Sequence, residues 1–160
     1  MNIRNASPED AERIAEIYSY YVLNTAISFE IVPPDTDEIR RRMLLFKPNP
    51  YLVAEDNGRI AGYAYAHPLS DRPAYGRSVE VTIYLDKDEI GKGIGRALYV
   101  ELETRLKMLG IRNLYAIVTY PGEGSVEFHQ KMGYRICGKL TDCGEKFNVL
   151  RSVVYMEKLI

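Results

Sequence analysis

A glycine-rich segment that follows an apolar strand is the part of this sequence best suited to bind a ligand. Residues 79–85 alternate apolar and polar side chains as a strand does, and Gly91–Arg96 then opens a helical pattern. Free N–H groups at a helix start bind anions, and glycines let the backbone come close to a phosphate. Lys92 and Arg96 add positive charge there. The segment therefore indicates a phosphate site, although a plain strand-to-helix turn with a glycine cap also explains it.

Two common phosphate motifs do not fit this segment. A Walker loop requires GxxxxGK followed by Ser or Thr, and the dinucleotide fingerprint requires GxGxxG after the first strand. Here the spacing is GxGxG, and the segment lies in the middle of the chain. Neither a nucleoside triphosphate nor a dinucleotide is therefore the favoured ligand.

Three side chains near this segment could move a proton or bind a charged group. Glu80 interrupts the apolar run, and burial raises the affinity of a carboxylate for protons toward the range useful to a base. His129 lies in a predicted short helix, and imidazole transfers protons near neutral pH. Arg72, close to Tyr75, could bind a carboxylate with two hydrogen bonds. A solvent-facing Glu, a packed His and an exposed loop Arg are the alternatives.

Apolar periodicity predicts the elements that would position these groups. The order β-α-α-β-β-β-α-β-α-β-β favours a mixed α/β sheet with helices on both faces, in one domain over residues 1–160. A tight hairpin is expected at 56–58, where Asp-Asn-Gly occurs. The predicted strands are 2–5, 51–55, 59–67, 79–85 and 114–119, with two more within 134–159 joined by a loop at 144–146. The first predicted helix starts at Ser7. The other three cover 35–46, 94–109 and 125–132.

Composition excludes several classes of function. The net charge of the 160 residues is −1, so no basic surface favours nucleic acid or an acidic membrane. The N-terminus has no apolar signal-peptide core, and no stretch reaches the length of a membrane span. Cys137 and Cys143 form no CxxC pair and lack a histidine cluster, so we expect no metal site. These features predict a cytoplasmic protein.

The glycine-rich segment resembles motif A of the GNAT superfamily of N-acetyltransferases, R/Q-x-x-G-x-G/A, with Gly93 and Gly95 at its glycine positions. Further segments resemble the phosphinothricin N-acetyltransferase branch, in that branch's order and spacing. They are Ala26–Glu30 with Pro33-Pro34, Arg72–Tyr75, Val79-Glu80, Ile83–Leu85, Ser125–His129 with Gly133-Tyr134, and Gly144–Phe147.

The resemblance implies an enzyme that uses acetyl-CoA. It would acetylate the amine of a small amino-acid-like substrate, of the phosphinothricin or methionine sulfoximine type, by direct attack. In this fold a mostly antiparallel sheet splays between strands 4 and 5. Loop amides would hold the pyrophosphate of the cosubstrate, and strand backbone would bind its pantetheine arm. The residues implied are Ile83, Tyr84, Leu85, Gly91, Lys92, Gly93, Ile94, Gly95 and Arg96.

The resemblance also implies roles in catalysis. Glu80 would be the general base, working through water, and His129 the general acid. A backbone N–H within 81–83, freed by a bulge, would stabilise the oxyanion. The acceptor would be contacted by Phe29, Arg72 and Tyr75.

Four places depart from the family pattern. Ile90 stands where Arg or Gln is usual, and Gly122 stands where Asn is usual. Gly76-Arg77 replaces the aromatic that often follows the Tyr, and Leu150–Ser152 replaces W-x-D. Two other functions therefore stay open. One is acetylation of a protein N-terminus or lysine, and the other is a non-catalytic acyl-CoA-binding sensor domain. The family often forms dimers, so a homodimer is also expected.

Overall fold

The strands of this computed structural model, which describes residues 1–122 and 124–160, form one mixed sheet. They are β1 (Asn2–Asn5), β2 (Tyr51–Asp56), β3 (Arg59–Pro68), β4 (Ser78–Leu85), β5 (Asn113–Tyr120), β6 (Arg135–Lys146) and β7 (Val149–Leu159). Within the described residues the spatial order is β1-β2-β3-β4-β5-β7-β6, and every neighbouring pair except β4–β5 is antiparallel. The predicted mixed sheet is thus confirmed.

Helices cover both faces of the sheet, as predicted. They are α1 (Ala11–Asn24), α2 (Thr36–Leu45), α3 (Ile94–Met108) and α4 (Ser125–Lys131), with short 3-10 turns at Pro8–Asp10, Pro73–Tyr75 and Lys87–Glu89. The apolar stripe of α3 packs with α4 on one face, where Leu98 and Leu102 are fully buried. On the other face α1 and α2 bury Ile14 and Ile39. Among the helices described here, none combines the length and the apolar character needed to cross a bilayer.

Local side-chain contacts explain where α2 and the 3-10 turn that leads into α1 begin. The carboxylate of Asp10 accepts the backbone N–H of Ser7 at 2.7 Å, which is part of a capping box at the start of that turn. Asp35 caps α2 by accepting the N–H of Glu38 at 2.8 Å. These caps fix the start of the layer that covers the α1/α2 face of the sheet.

The sheet opens between β4 and β5. The two parallel strands pair at three positions only, from Ser78↔Asn113 to Glu80↔Tyr115. Both strands then continue, to Leu85 and Tyr120, without pairing with each other. The predicted splay between strands 4 and 5 is therefore confirmed, and its vertex lies at Glu80.

Two local predictions are wrong. The β6–β7 hairpin turns at Phe147 and Asn148, with φ of 56° and 58°. Residues 144–146, where the loop was expected, are part of β6 and pair with β7. A two-residue turn of this type needs positive φ at both positions, which Asn tolerates. The expected bulge in β4 is also missing from its pairing with β3, which runs in unbroken register over 62–68 and 79–85. Divergence of β5 opens the sheet instead.

Candidate active site

The opening between β4 and β5 contains a cavity of about 490 Å³. Its walls come from both strands, from the segment 27–30 that follows α1, and from α4. A second cleft of about 320 Å³ continues toward the glycine-rich turn and shares Ile83, Tyr84 and Ser125 with the first. Together they form one groove from the vertex of the splayed strands to the start of α3.

Alternate residues of β4 direct their backbone groups into this groove. The carbonyl of Ser78 and the N–H of Asp86 both bond to residues on the β3 side, at 3.2 and 2.8 Å. Because backbone direction alternates along a strand, the backbone groups of Val81, Ile83 and Leu85 face the other way, toward the diverging β5. The N–H of Val81 completes the pairing of Glu80 with Tyr115, which leaves the carbonyl of Val81 and the groups of Ile83 and Leu85 facing the groove. An extended ligand could pair with them as an added strand does.

The three residues predicted to bind the pantetheine arm therefore differ. Ile83 and Leu85 face the groove with their backbone, although the carbonyl of Leu85 already accepts the hydroxyl of Tyr21 at 2.6 Å. The backbone of Tyr84 faces β3, and its ring packs 4.8 Å from that of Tyr18, measured between centroids. Tyr84 thus contributes a side chain to the wall, not a strand contact.

The glycine-rich turn has the geometry of an anion site. Gly91 and Gly93 have φ of 84° and 83°, a conformation that L residues disfavour, and Gly93 is the N-cap of α3. The first-turn N–H groups lack helical partners, and that turn carries no acidic residue. A β-carbon on Gly95 would lie 3.4 Å from the ring of Phe128, an ordinary van der Waals contact, so α3 and α4 pack closely at this point.

The other residues of the turn have separate roles. Ile94 is buried in the core and can offer only its backbone N–H to a ligand. Lys92 pairs with Glu89 at 3.0 Å, while Arg96 is exposed and lines the second cleft. Ile90, which replaces the usual Arg or Gln, is exposed at the edge of the same cleft.

Glu80 lies at the vertex of the opening and lines the main cavity. Its side chain is 22% exposed, so the residue is neither deeply buried nor fully solvated. The carboxylate Oε1 lies 3.7 Å from Nε2 of His67, its direct neighbour on β3. A carboxylate at this position can accept a proton from a group in the cavity.

His129 is 4% exposed, and both of its ring nitrogens are engaged. Nδ1 lies 2.7 Å from the carbonyl oxygen of Ser125, so this nitrogen carries the hydrogen. Nε2 then accepts the hydroxyl of Tyr99 at 2.9 Å. Burial lowers the pKa of His129 and keeps the ring neutral. His129 therefore orients Tyr99, which lines the cavity. Sequence analysis did not find Tyr99, because it lies among the apolar residues of α3.

The segment Ala26–Glu30 forms the outer wall and is held from two strands. Lys146, 3% exposed, donates from Nζ to the carbonyl of Ser28 at 2.6 Å. Thr119 donates to the carbonyl of Ala26 at 2.7 Å. A β-carbon on Gly144 would lie 2.5 Å from the ring of Phe29, so only glycine leaves room for that ring. The late G-x-K-F motif thus positions the predicted wall residue Phe29.

The structure does not place Arg72 and Tyr75 in the wall of the cavity. Both are exposed, in the loop between β3 and β4, and Tyr75 retains 44% of its accessible surface. Contact of these two residues with the acceptor stays a prediction. Conversely, His67 and Thr82 line the cavity without having been predicted, because the pairing across that loop had to be known to find them.

The departure at Gly122 has a steric reason. A β-carbon there would lie 2.6 Å from the carbonyl oxygen of Thr119, so this backbone path excludes a side chain. Within the described ranges, His, Cys, Asp and Glu side chains do not gather in any group of three that could hold a metal ion.

A sheet split between two parallel strands, with a glycine-bounded helix start at its open end, is the architecture of an N-acetyltransferase. Residues 3–150 match the acetyltransferase (GNAT) domain, and the chain belongs to this family of enzymes.

Individual relatives agree with this assignment. The chain is 35% identical to a phosphinothricin N-acetyltransferase of Streptomyces coelicolor, over 99% of this chain and 95% of that protein. Its structure is similar to that of a phosphinothricin acetyltransferase from Sinorhizobium meliloti in complex with AcCoA, with a TM-score of 0.95, 34% identity and coverage of 99% and 88%. A ribosomal-protein-alanine N-acetyltransferase from Brucella melitensis has a TM-score of 0.96, 27% identity and full coverage of both chains.

Proposed function

We propose that this enzyme transfers the acetyl group of acetyl-CoA to the amine of a small amino-acid-like acceptor, of the phosphinothricin or methionine sulfoximine type. The observation that carries the proposal is the position of Glu80, at the vertex of the splayed strands and in the wall of the cavity. The names of the relatives from Streptomyces coelicolor and Sinorhizobium meliloti support this acceptor class.

The groove fits the proposed cosubstrate. The N–H groups around Gly93 would hold the pyrophosphate, with Lys92 and Arg96 adding positive charge. The backbone of Val81 and Ile83 would pair with the pantetheine arm and direct its thioester toward Glu80. The two clefts, of about 490 and 320 Å³, provide a continuous path for this arm.

The reaction needs a neutral amine. An amino group with a pKa near ~8 is mostly protonated at neutral pH, so Glu80 removes one proton before attack. The amine then attacks the thioester carbonyl, and the N–H of Ile83 stabilises the oxyanion. The second amine proton leaves to solvent or through Glu80 as the intermediate collapses to amide and thiolate.

His129 acts through Tyr99 in this mechanism. Burial raises the pKa of Tyr99 far above its ordinary value, so its hydroxyl keeps its proton. In the free enzyme the one hydroxyl hydrogen of Tyr99 is donated to Nε2 of His129. That hydrogen turns to the departing sulfur only as the thiolate forms, and solvent protonates the thiolate afterwards. Proton donation by His129 itself stays a prediction of the family resemblance.

Thiol release from acetyl-CoA tests the function directly. We expect turnover with phosphinothricin or methionine sulfoximine at concentrations where a peptide with a free N-terminal alanine gives little. Preference for the peptide would favour the protein-acetylating alternative suggested by the name of the Brucella relative. Binding of CoA in calorimetry without turnover on any amine would favour the sensor alternative and contradict the proposal.

Gly144→Ala is expected to impair acceptor binding selectively. The new β-carbon displaces the ring of Phe29, so KM for the acceptor should rise about fivefold to tenfold, the effect of losing part of an apolar contact. KM for acetyl-CoA should change little. Gly138→Ala is the matched control, since it lies in the same strand and a β-carbon there meets nothing within 4 Å. Equal effects of the two substitutions would contradict the role of Phe29.

We also propose that residues 1–160 form one domain in a cytoplasmic homodimer. Cys137 and Cys143 are exposed free thiols, which suits a reducing compartment. The edge hairpin β6–β7 exposes Leu140 and Leu150, at 47% and 58%, and a second copy could cover them.

Light scattering tests the dimer. The expected mass is twice 18.3 kDa, and Leu140→Lys combined with Leu150→Lys should reduce it to 18.3 kDa. A monomeric mass for the unaltered protein at micromolar concentration would contradict the dimer.

A further inference from the structure

His67 is the ionisable side chain placed directly against Glu80. The two residues are partners in the β3–β4 register, with Nε2 and Oε1 3.7 Å apart and both side chains in the cavity wall. An approach of about 1 Å would bring them to hydrogen-bond distance.

Neighbouring groups fix which nitrogen of His67 faces Glu80. Nδ1 lies 3.1 Å from the carbonyl oxygen of Pro68, which can only accept, so Nδ1 carries a hydrogen. The ring lies 5.2 Å from that of Phe46 and 6.3 Å from that of Tyr65, between centroids, which holds its orientation. Nε2 is therefore the nitrogen that gains and loses a proton, and it does so opposite the carboxylate.

We propose that His67 is the proton relay of the enzyme, receiving from Glu80 the proton that Glu80 takes from the acceptor ammonium. In the first step the ammonium becomes an amine and the Glu80 carboxylate becomes a carboxylic acid. In the second the proton passes to Nε2, which restores the carboxylate and leaves an imidazolium. In the third the imidazolium, 28% exposed, releases the proton to solvent. The inference rests on the proposed function, since it needs Glu80 as the base.

Electrostatics agrees with this geometry. Burial lowers the pKa of His67, but the carboxylate of Glu80 and the carbonyl of Pro68 outweigh it, so the pKa is raised above its ordinary value. Glu80 acts from β4 and Tyr65 lies alongside on β3, while Phe46, which follows α2 and packs against the His67 ring, does not ionise. Beyond Tyr65, Glu30 and Arg42 are paired with each other at 2.7 Å.

The relay predicts the form of the pH–rate profile. Only neutral His67 can receive a proton, so kcat/KM for the acceptor should rise with pH through the raised pKa of His67. In His67→Gln the acid limb that His67 sets should disappear from this pH range. The plateau of this variant should fall about tenfold, at the low end of what one proton-transfer group contributes. The two profiles then converge at low pH, whereas structural damage would lower the rate equally at all pH values.

Histidine NMR tests the pairing without any turnover. The chain contains two histidines, so the signal lost in His67→Gln is assigned at once. We expect the pKa of His67 to lie above its ordinary value in the unaltered protein and to fall in Glu80→Gln, because the carboxylate that raises it is then gone while burial remains. Thermal melts of each variant establish that it is folded, and His67→Asn, which keeps a donor toward Pro68, should behave like His67→Gln.

The outcomes separate the relay from the function. The relay is overturned if the enzyme is active and the acid limb of its pH–rate profile is the same in His67→Gln. It is also overturned if the pKa of His67 is unchanged by Glu80→Gln. Both results leave the acetyltransferase proposal intact. If the unaltered enzyme acetylates no amine, the proposed function fails, and the relay fails with it even where NMR finds the two residues coupled.

Discussion

Glu80→Gln is expected to lower kcat/KM for the acceptor by about 10²–10³-fold at pH 7, within the range for loss of one positioned general base. The glutamine keeps the size of the side chain and its place at the strand vertex but accepts no proton. The variant must then use the small fraction of acceptor that is already a free amine. Thiol release from acetyl-CoA measures this loss, and calorimetry should give an unchanged affinity for CoA.

The pH dependence identifies the cause of that loss. About one tenth of an amine with a pKa of ~8 is free at pH 7, so the variant's rate should climb by about tenfold toward alkaline pH and recover that part of the loss. The remaining loss reflects the missing acceptor for the second amine proton. Glu127→Gln is the matched control, because Glu127 is exposed on α4 and does not line the cavity. A constant ratio of rates across pH would remove Glu80 from the role of base.

Gly93→Ala is expected to weaken binding of acetyl-CoA by about 10–100-fold, the effect of losing one charge-assisted hydrogen bond or more. Gly93 has φ of 83°, and alanine there either carries strain or shifts the amides that start α3. Isothermal calorimetry with CoA measures the change. KM for the acceptor should vary far less than KM for acetyl-CoA.

Gly58→Ala is the matched control for this change. Gly58 has φ of 77° in the β2–β3 turn, and a β-carbon meets nothing within 4 Å at either glycine. Both substitutions should therefore cost a similar amount of stability, about 1–2 kcal/mol. Only Gly93→Ala should alter affinity for CoA. If both variants bind CoA equally well, the turn is not the pyrophosphate site.

Most of the fold could be predicted from local sequence patterns. The alternation in 79–85 and the glycines before α3 depend on neighbours in the chain, and both elements form where expected. The β6–β7 turn was misplaced because Gly144 suggests a loop. In the structure Gly144 stays within the strand, because the ring of Phe29 occupies the space where a side chain would be.

The site was less predictable because its contacts join distant elements. That His67 lies opposite Glu80 depends on the β3–β4 register, set by pairing across a long loop. That His129 is neutral and bonded to Tyr99 depends on how closely α3 and α4 pack. Motif spacing finds residues of the right chemical type, but it does not show which of their atoms are already engaged.

The short pairing between β4 and β5 affects how long the folded protein survives in the cell. Three residue pairs join the two halves of the sheet directly. A cosubstrate lying along β4 would add backbone bonds at this junction, and a ligand at a hundredfold excess over its Kd stabilises the native state by about 2.7 kcal/mol. Cellular proteases attack chains that open transiently. A cell short of the thioester would therefore degrade this enzyme faster, so that its abundance follows the metabolite it consumes.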